Sequence, residues 1–268
     1  MADRSRIEWT EATWNPVTGC SKVSPGCAHC YAEALSLRFG RSLKPWTPAN
    51  ASENVVIHPN RLEQPLRWRR PRMIFVNSMS DLFHELVPVS FVQRVFDVMA
   101  ASHWHTFQIL TKRPGRAVEI ADMLPWPTNV WLGVSIESSR FTWRADLLRE
   151  IRTEVRFISA EPLLGSLFEF GSQKQPLNLE SIDWLIAGGE SGPHYRPVNV
   201  EWVRELRQAC ATNHVAFFFK QWGVELRRVV GASSTAERST SFPRGRFASV
   251  RQTGASFHSD TSPSFGHP

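Results

Sequence analysis

The chain has 268 residues, of which 42% are hydrophobic and 21% are charged, proportions that are typical of a globular domain and exclude an intrinsically disordered chain. It contains no run of eighteen apolar residues and begins without an apolar segment of the signal-peptide type, so we expect a soluble, cytoplasmic protein without a membrane partner. The formal net charge of +6 is compatible with binding a polyanion but does not require it.

The first feature along the chain is a group of three cysteines, spaced C-x6-C-x2-C in TGCSKVSPGCAHCYAEAL. Cys20, Cys27 and Cys30 lie on a loop that is predicted to run directly into a helix beginning near Tyr31. Three thiolates can bind three irons of a [4Fe-4S] cluster and leave the fourth iron open to a ligand. The spacing therefore predicts an iron-sulfur site in a reducing compartment.

A structural zinc ion is the alternative, with His29 as the fourth ligand of a Cys3His site. His29 lies between two of the cysteines, so its ring would have difficulty reaching the same ion, and the sequence has no second C-x2-C pair. Cys210 lies among apolar residues of a predicted helix, and we expect it to be a buried, inert thiol.

The next feature is the stretch RLEQPLRWRRPR, which sets five arginines and a tryptophan against a single acid. Arginines can neutralise phosphates and an indole can stack on an unpaired base, although a solvated loop would have the same composition. The candidate nucleic-acid contacts are Arg61, Arg67, Trp68, Arg69, Arg70 and Arg72.

Apolar strands and amphipathic helices alternate in the rest of the chain. Strands are predicted at residues 73–78, 106–111, 129–136, 155–160, 182–189 and 215–220, and helices at 89–102, 114–124, 138–151 and 200–213. Continuous apolar strands separated by helices predict a parallel sheet covered by helices, and a complete or partial (β/α) barrel is its natural form.

Polar residues follow nearly every predicted strand. Because the carboxyl ends of parallel strands meet at one edge, we expect these groups to share a pocket. The groups are Asn77, Ser78 and Asp81; Thr111, Lys112 and Arg113; Ser135 and Glu137; Ser159 and Glu161; Glu190 and Ser191; and Lys220 and Gln221.

The composition changes near the end of the chain. Residues 231–268 contain no leucine, isoleucine, methionine or tryptophan, so they cannot bury enough apolar surface to offset the entropy of ordering. We therefore expect a barrel domain over residues 1–230 and a disordered tail over 231–268.

Seven motifs in order resemble a phage and prophage three-Cys-motif family of unknown function, which is similar to radical S-adenosylmethionine enzymes. They are NPVTGCSKVSPGCAHCYAE, NSMSDLFHE, LTKRP, WLGVSIES, SAEPLLG, AGGESG and FKQWG, and they cover residues 7 to 223. The larger superfamily usually has a C-x3-C-x2-C motif with an aromatic residue before the third cysteine, where this chain has six intervening residues and His29. After KQWG the chain also departs from the family pattern, which suggests a shifted reading frame in the tail.

The resemblance implies a [4Fe-4S] cluster whose open iron binds S-adenosylmethionine. One-electron reduction, by an external donor, then yields a 5′-deoxyadenosyl radical that abstracts hydrogen from a substrate. It also implies that residues 77–81 meet the methionine amino group and that Ser135 and Glu137 face the ribose. The full set of candidate cofactor-binding residues is His29, Asn77, Ser78, Asp81, Ser135, Glu137, Glu161, Glu190 and Lys220, with Cys20, Cys27 and Cys30 as metal ligands and the catalytic residues unassigned.

Several of these residues also have purely structural interpretations: Glu161 can cap a loop, Glu190 can anchor a helix N-terminus, and Lys220 can be a surface charge. The leading hypothesis is a radical enzyme that modifies or repairs a nucleic acid or nucleotide. The resemblance also implies a three-Cys-motif partner protein. The alternative is a zinc-braced nucleic-acid-binding module without catalysis.

Overall fold

The computed structural model describes residues 5, 7–171, 175–191, 195–223 and 241–243. Nine strands are present in this part of the chain: β1 Ala12–Trp14, β2 Val17–Thr18, β3 Val56–Ile57, β4 Met73–Val76, β5 Thr106–Thr111, β6 Val130–Ser135, β7 Val155–Ala160, β8 Trp184–Ala187 and β9 Ala216–Phe219. The α-helices are α1 Tyr31–Arg38, α2 Ala51–Asn54, α3 Val89–Ala101, α4 Pro114–Glu119, α5 Trp143–Glu150 and α6 Val200–Thr212.

Seven of the strands form one sheet in the order β1-β4-β5-β6-β7-β8-β9, and every neighbouring pair is parallel. Strands β2 and β3 pair separately in a short antiparallel sheet. Since β1 and β9 form the two edges, the large sheet is an open (β/α) barrel. The expected α/β class, with a parallel sheet and a barrel-like order of strands, is confirmed.

The two faces of the sheet bury different side chains, because successive residues of a strand point to opposite sides. In β4, Ile74 and Val76 pack in the larger hydrophobic core between the sheet and the helices, whereas Phe75 lies on the opposite, inner face of the sheet. That interior is filled largely by aromatic rings, contributed by Trp9, Phe75, Trp131, Phe157, Trp184 and Phe218. The rings close the interior, and the carboxyl ends of the strands lie beyond them.

The predicted strands and helices agree closely with those observed. Strands β5 and β7 have their predicted bounds, while the predicted helices 114–124 and 138–151 are partly 3-10 helix and leave shorter helices α4 and α5. The sequence prediction missed β1, because ATW is too short to show a periodic pattern. No helix among the described residues is long and apolar enough to cross a bilayer.

The predicted tail, residues 231–268, lies outside the described residues except for 241–243. The first two of these residues contact the sheet: Ser241 N donates to the Phe217 carbonyl over 3.0 Å, and the Phe242 ring lies 5.3 Å from the Trp184 ring.

Candidate functional site

Two adjoining cavities lie at the carboxyl edge of the sheet, with volumes of about 150 and 410 Å³. The side chains that form the wall between them belong to both: Cys30, Tyr31, Phe75, Leu110, Lys112 and Ser135. The predicted convergence of strand-end residues is therefore present, but it is divided between a smaller and a larger chamber.

The cysteine loop is tied to the end of β4 at its start. Gly19 N donates to the Met79 carbonyl over 2.9 Å, and Gly19 forms a parallel bridge with Ser80. Gly19 has φ +81, and a Cβ there would lie 1.8 Å from the Asn54 carbonyl oxygen, so only glycine fits. This close approach places Cys20 beside the residues that follow β4.

The rest of the loop brings the other two cysteines to the same cavity. A 3-10 turn spans Pro25–Cys27, and Cys30 directly precedes α1, which begins at Tyr31 as predicted. Cys20, Cys27 and Cys30 are free thiols that all line the smaller cavity. Burial, together with the nearby Asp81 carboxylate, raises the pKa of the Cys20 thiol to about 12, so the thiolate needs a bound metal to form.

The spacing of the three thiols determines whether they can bind one zinc ion together or separate iron atoms of a cluster. A zinc ion bound by three thiolates requires sulfurs about 4 Å apart, since each Zn–S bond is about 2.3 Å. In the described part of the chain, no three His, Cys, Asp or Glu side chains could hold one metal ion. Each cysteine of a [4Fe-4S] cluster binds a different iron atom, so three thiols around one cavity are compatible with such a cluster.

His29 does not join the cysteines. Its ring lines the larger cavity, and Nδ1 lies 2.9 Å from Glu190 Oε2. Arg196 also pairs with Glu190, through its guanidinium and its backbone amide. Although burial opposes ionisation, the hydrogen bonds from Arg196 and His29 lower the pKa of Glu190. His29 is therefore engaged elsewhere and is not placed as a fourth zinc ligand.

Glu137 lies in neither cavity wall and does not have a free carboxylate. Oε2 accepts a hydrogen bond from Arg144 over 2.7 Å, and Oε1 accepts from Gly26 N over 3.3 Å and from the Ser24 hydroxyl. A Cβ on Gly26 would lie 2.8 Å from Oε1. The expectation that Glu137 faces a ribose is not supported by this placement, because the side chain is directed into the base of the cysteine loop. Ser135, by contrast, lines both cavities.

The residues after β4 line the smaller cavity as expected. Both Asp81 oxygens accept hydrogen bonds, from Thr111 Oγ1 and from the backbone amides of Phe83 and Lys112. Asn77 has φ +58, is 2% exposed, and its Nδ2 has no hydrogen-bond partner among the described residues. The Ser78 carbonyl accepts from the Tyr31 hydroxyl over 2.7 Å. Both oxygens of Asp81 are thus used within the protein, and Asn77 Oδ1 accepts from the Val17 amide, whereas Asn77 Nδ2 is left for a ligand.

Glu161 and Lys220 both line the larger cavity and form a direct ion pair of 2.9 Å in its wall. This pairing neutralises two of the predicted ligand-binding charges. Lys112, by comparison, lines both cavities, and its Nζ has no hydrogen-bond or ion-pair partner within the described ranges. Burial raises the pKa of the nearby Cys30 thiol, and the positive charge of Lys112 is one of the smaller effects that oppose this rise. Lys112 is thus a cation available to an anionic ligand in the shared wall.

The basic stretch lies away from both cavities. It ends at Arg72, immediately before the amino end of β4, whereas Arg61 lies beside the carboxyl end of β1, where its guanidinium donates to the Asn15 carbonyl over 3.4 Å. Arg67, Arg69 and Arg70 are exposed, but the half-buried Trp68 ring has the Arg72 guanidinium 5.2 Å from its centre. Trp68 is therefore not free to stack a base on that face, and the exposed arginines form a separate surface.

Three residues that take part in these contacts were not predicted from the sequence: Arg144, Arg196 and Tyr31. Arg144 and Arg196 each neutralise a carboxylate after a strand, at spacings of seven and six residues that no periodic pattern reveals. Tyr31 follows the last cysteine directly, and its aromatic ring was the signal that could have been used.

Comparisons with known proteins agree with this architecture. The fold resembles that of spore photoproduct lyase: a cysteine-to-serine mutant of that enzyme matches with a TM-score of 0.51 and 13% sequence identity, over 82% of this chain and 79% of the enzyme. A double mutant described as having bound AdoMet and dinucleoside spore photoproduct matches with a TM-score of 0.46 and 14% identity, over 78% of this chain and 63% of that one. A search of curated protein sequences finds no match.

These observations define the chain as an open (β/α) barrel with a three-cysteine loop at the carboxyl edge of its sheet. The chain belongs to the family described as "Protein of unknown function (DUF5131)", whose model matches residues 4–248. The match extends past the barrel into the region predicted as a tail. A phage origin stays a prediction.

Proposed function

We propose that the chain is a radical S-adenosylmethionine enzyme. The observation that carries this proposal is the convergence of Cys20, Cys27 and Cys30 on a cavity that shares a wall with a second, larger one. Such an arrangement provides a place for a cluster and its ligand beside a place for a substrate. The fold likeness to spore photoproduct lyase supports the choice of reaction class.

The three cysteines would hold a [4Fe-4S] cluster, and its open iron would take the amino and carboxylate groups of S-adenosylmethionine. When bound and reduced, this pair supplies a 5′-deoxyadenosyl radical able to abstract hydrogen. The chain contributes binding and orientation: Lys112 offers a cation to the carboxylate, and Asn77 offers an unpaired polar group in the same cavity. The aromatic residues below the cavities exclude water from the interior.

The larger cavity suits a planar substrate group. Trp9, Tyr31 and Phe75 line it, and its acids Glu161 and Glu190 are already paired with cations. It thus presents aromatic surface and little free negative charge, which favours a nucleobase over a cationic substrate. We propose a nucleic acid or nucleotide as the substrate, with base modification or repair as the reaction.

Anaerobic purification tests this function. We expect about four irons and matching sulfide per chain, and an electron-spin spectrum of the reduced protein that changes on adding S-adenosylmethionine. A variant with all three cysteines changed to alanine is the control, because it should fold around its separate core but bind no iron. Stoichiometric zinc, or a spectrum that S-adenosylmethionine leaves unchanged, would contradict the proposal.

A further inference from the structure

Helix α1 carries its large apolar side chains on the outside. It buries Ala32, Glu33 and Ser36 and exposes Tyr31, Leu35 and Leu37, which are 44%, 38% and 39% accessible. A helix packed on a sheet normally shows the reverse pattern, with apolar residues inward. Tyr31, at the start of the helix, also lines both cavities, whereas Leu35 and Leu37 line neither. The outer face of α1 is therefore suited to contact with another molecule.

The apolar surface continues beyond the helix. Phe39 is 61% and Leu43 91% exposed, and Val23 in the cysteine loop is 43% exposed. Six of the thirteen large exposed apolar residues in the described ranges fall between positions 23 and 43, while the others are scattered singly. Concentrated exposed apolar surface marks interaction sites. Val23 lines the smaller cavity and Tyr31 lines both, so we call the other four, Leu35, Leu37, Phe39 and Leu43, the α1 surface.

Two arginines give the α1 surface a positive charge. The guanidinium carbons of Arg38 and Arg41 lie 5.8 and 5.7 Å from the centre of the Phe39 ring. Both arginines are exposed, and neither has a carboxylate partner in the part of the chain that the structure describes. Electrostatic complementarity therefore favours a partner with acidic groups around an apolar centre. A second copy of this chain, with a net charge of +6, is a poorer match.

The α1 surface lies close to the cysteine site. Cys30 directly precedes α1, and a helix of eight residues is about 12 Å long. A protein bound on this helix would thus lie next to a cluster held by the three cysteines. Cluster reduction requires an electron from outside the chain, since the proposed reaction consumes one electron.

We propose that the α1 surface is the docking site of an acidic one-electron carrier protein. This inference rests on the proposed function. In the transfer, the carrier loses one electron and the cluster gains one, and no bond is made or broken.

The first test is binding, measured by titration calorimetry with a flavodoxin of net negative charge and the cluster-loaded protein. Changing Leu35→Ser together with Phe39→Ser, or Arg38→Glu together with Arg41→Glu, should each weaken the affinity about tenfold or more. Two single variants serve as matched controls and should bind as the wild type does: Phe170→Ser, at an apolar residue that is 80% exposed, and Arg94→Glu, at an exposed arginine that stacks on Phe91. Equal affinity in all variants would overturn the docking site.

The second test compares reductants. In the two double variants, reduction of the cluster by flavodoxin should slow about tenfold, while reduction and S-adenosylmethionine cleavage with dithionite stay unchanged. Equal slowing with both reductants would contradict docking at α1, as would a wild-type dimer in sedimentation that the Leu35 and Phe39 changes abolish. If the wild type failed to cleave S-adenosylmethionine with dithionite, the proposed function would instead be overturned. The calorimetric measurement of flavodoxin binding requires no cleavage, so the two failures can be distinguished.

Discussion

Glu137 and Arg144 form an ion pair of 2.7 Å between side chains that are 1% and 2% exposed. The remaining Glu137 oxygen accepts hydrogen bonds from Ser24 and Gly26, in the loop between the first two cysteines. A carboxylate that follows β6 therefore anchors the cysteine loop to the sheet. The stability of the fold and the geometry of the cysteine site depend on the same buried pair.

Changing Glu137→Gln removes one charge of this pair and leaves Arg144 buried without a counter-ion. We expect a loss of about 3–5 kcal/mol in the free energy of unfolding, measured with urea. Asp146→Asn breaks the exposed pair of Asp146 with Arg149 and should cost only about 0–1 kcal/mol. Similar losses in the two variants would show that Glu137 does not have the anchoring role.

Changing any one of Cys20, Cys27 or Cys30 to alanine should lower the iron content markedly, because each thiolate holds a different iron atom. Cys210→Ala is the matched control, since Cys210 is fully buried in the helical core and burial raises the pKa of its thiol to about 12. The measurement is iron per chain after anaerobic reconstitution. Loss of iron in the Cys210 variant alone would contradict the assignment.

Changing Lys112→Gln should weaken S-adenosylmethionine binding about tenfold and leave the iron content unchanged, because Lys112 offers the free cation in the shared wall. Lys220→Gln is the comparison, since the Lys220 charge is already used by Glu161. Equilibrium dialysis with the loaded protein measures both affinities. A larger loss of affinity in Lys220→Gln than in Lys112→Gln would show that the carboxylate of S-adenosylmethionine binds in the larger cavity.

Gly133→Ala should destabilise the barrel interior, because a Cβ at this position would lie 2.4 Å from the Phe157 ring. The expected loss in free energy of unfolding is about 1–3 kcal/mol. Gly115→Ala in α4 meets nothing within 4 Å and should instead raise stability by about 0.5 kcal/mol, as alanine is the better helix former. A neutral Gly133 variant would show that the aromatic layer can rearrange.

His105 should make stability depend on pH. Burial, with a smaller effect of Arg72, lowers its pKa; Nε2 donates to the Pro65 carbonyl over 3.1 Å, and Nδ1 has no partner among the described residues. The unfolded chain therefore takes up this proton more readily than the folded one does. The contribution is complete above pH 6.5 and is lost as the pH falls below it, by at most about 1.4 kcal/mol per pH unit.

Comparing wild type with His105→Gln in urea unfolding between pH 7.5 and 5.5 isolates this effect. The variant should show a shallower pH dependence, whereas His103→Gln, which replaces the exposed neighbouring histidine, should keep the wild-type slope. Parallel curves for wild type and the His105 variant would contradict the prediction.

Much of the fold was predictable because its signals are local. Strands such as TFQILT and VRFISA are apolar on both sides, as a sheet buried on both faces requires, and the helix of residues 200–212 shows its own periodicity. Strand β1 was not predictable, since it has three residues and gains its stability from pairing with β4.

The sequence predicted which residues lie at the candidate site better than it predicted what each of them contacts. Parallel strands bring their carboxyl ends together, so Asn77, Ser135 and Glu161 could be assigned to one edge from sequence. Whether a carboxylate at this edge can contact a ligand depends on whether it already forms an ion pair with an arginine or lysine, and those basic residues come from helices and loops. Glu137 and Glu190 are examples: both are paired with arginines, and Glu137 also accepts hydrogen bonds from the cysteine loop.

The sequence by itself determined the alternation of strands and helices, the placement of polar groups at one edge and the three-cysteine loop, because each depends on residues close together in the chain. The tertiary structure decided that residues of this edge line two adjoining cavities, that His29 faces the larger one, and that Lys112 has no ion-pair or hydrogen-bond partner among the residues that the structure describes. The physical reason is that ion pairs and cavity walls join residues far apart in sequence, for example His29 and Glu190, and no periodic pattern records such contacts.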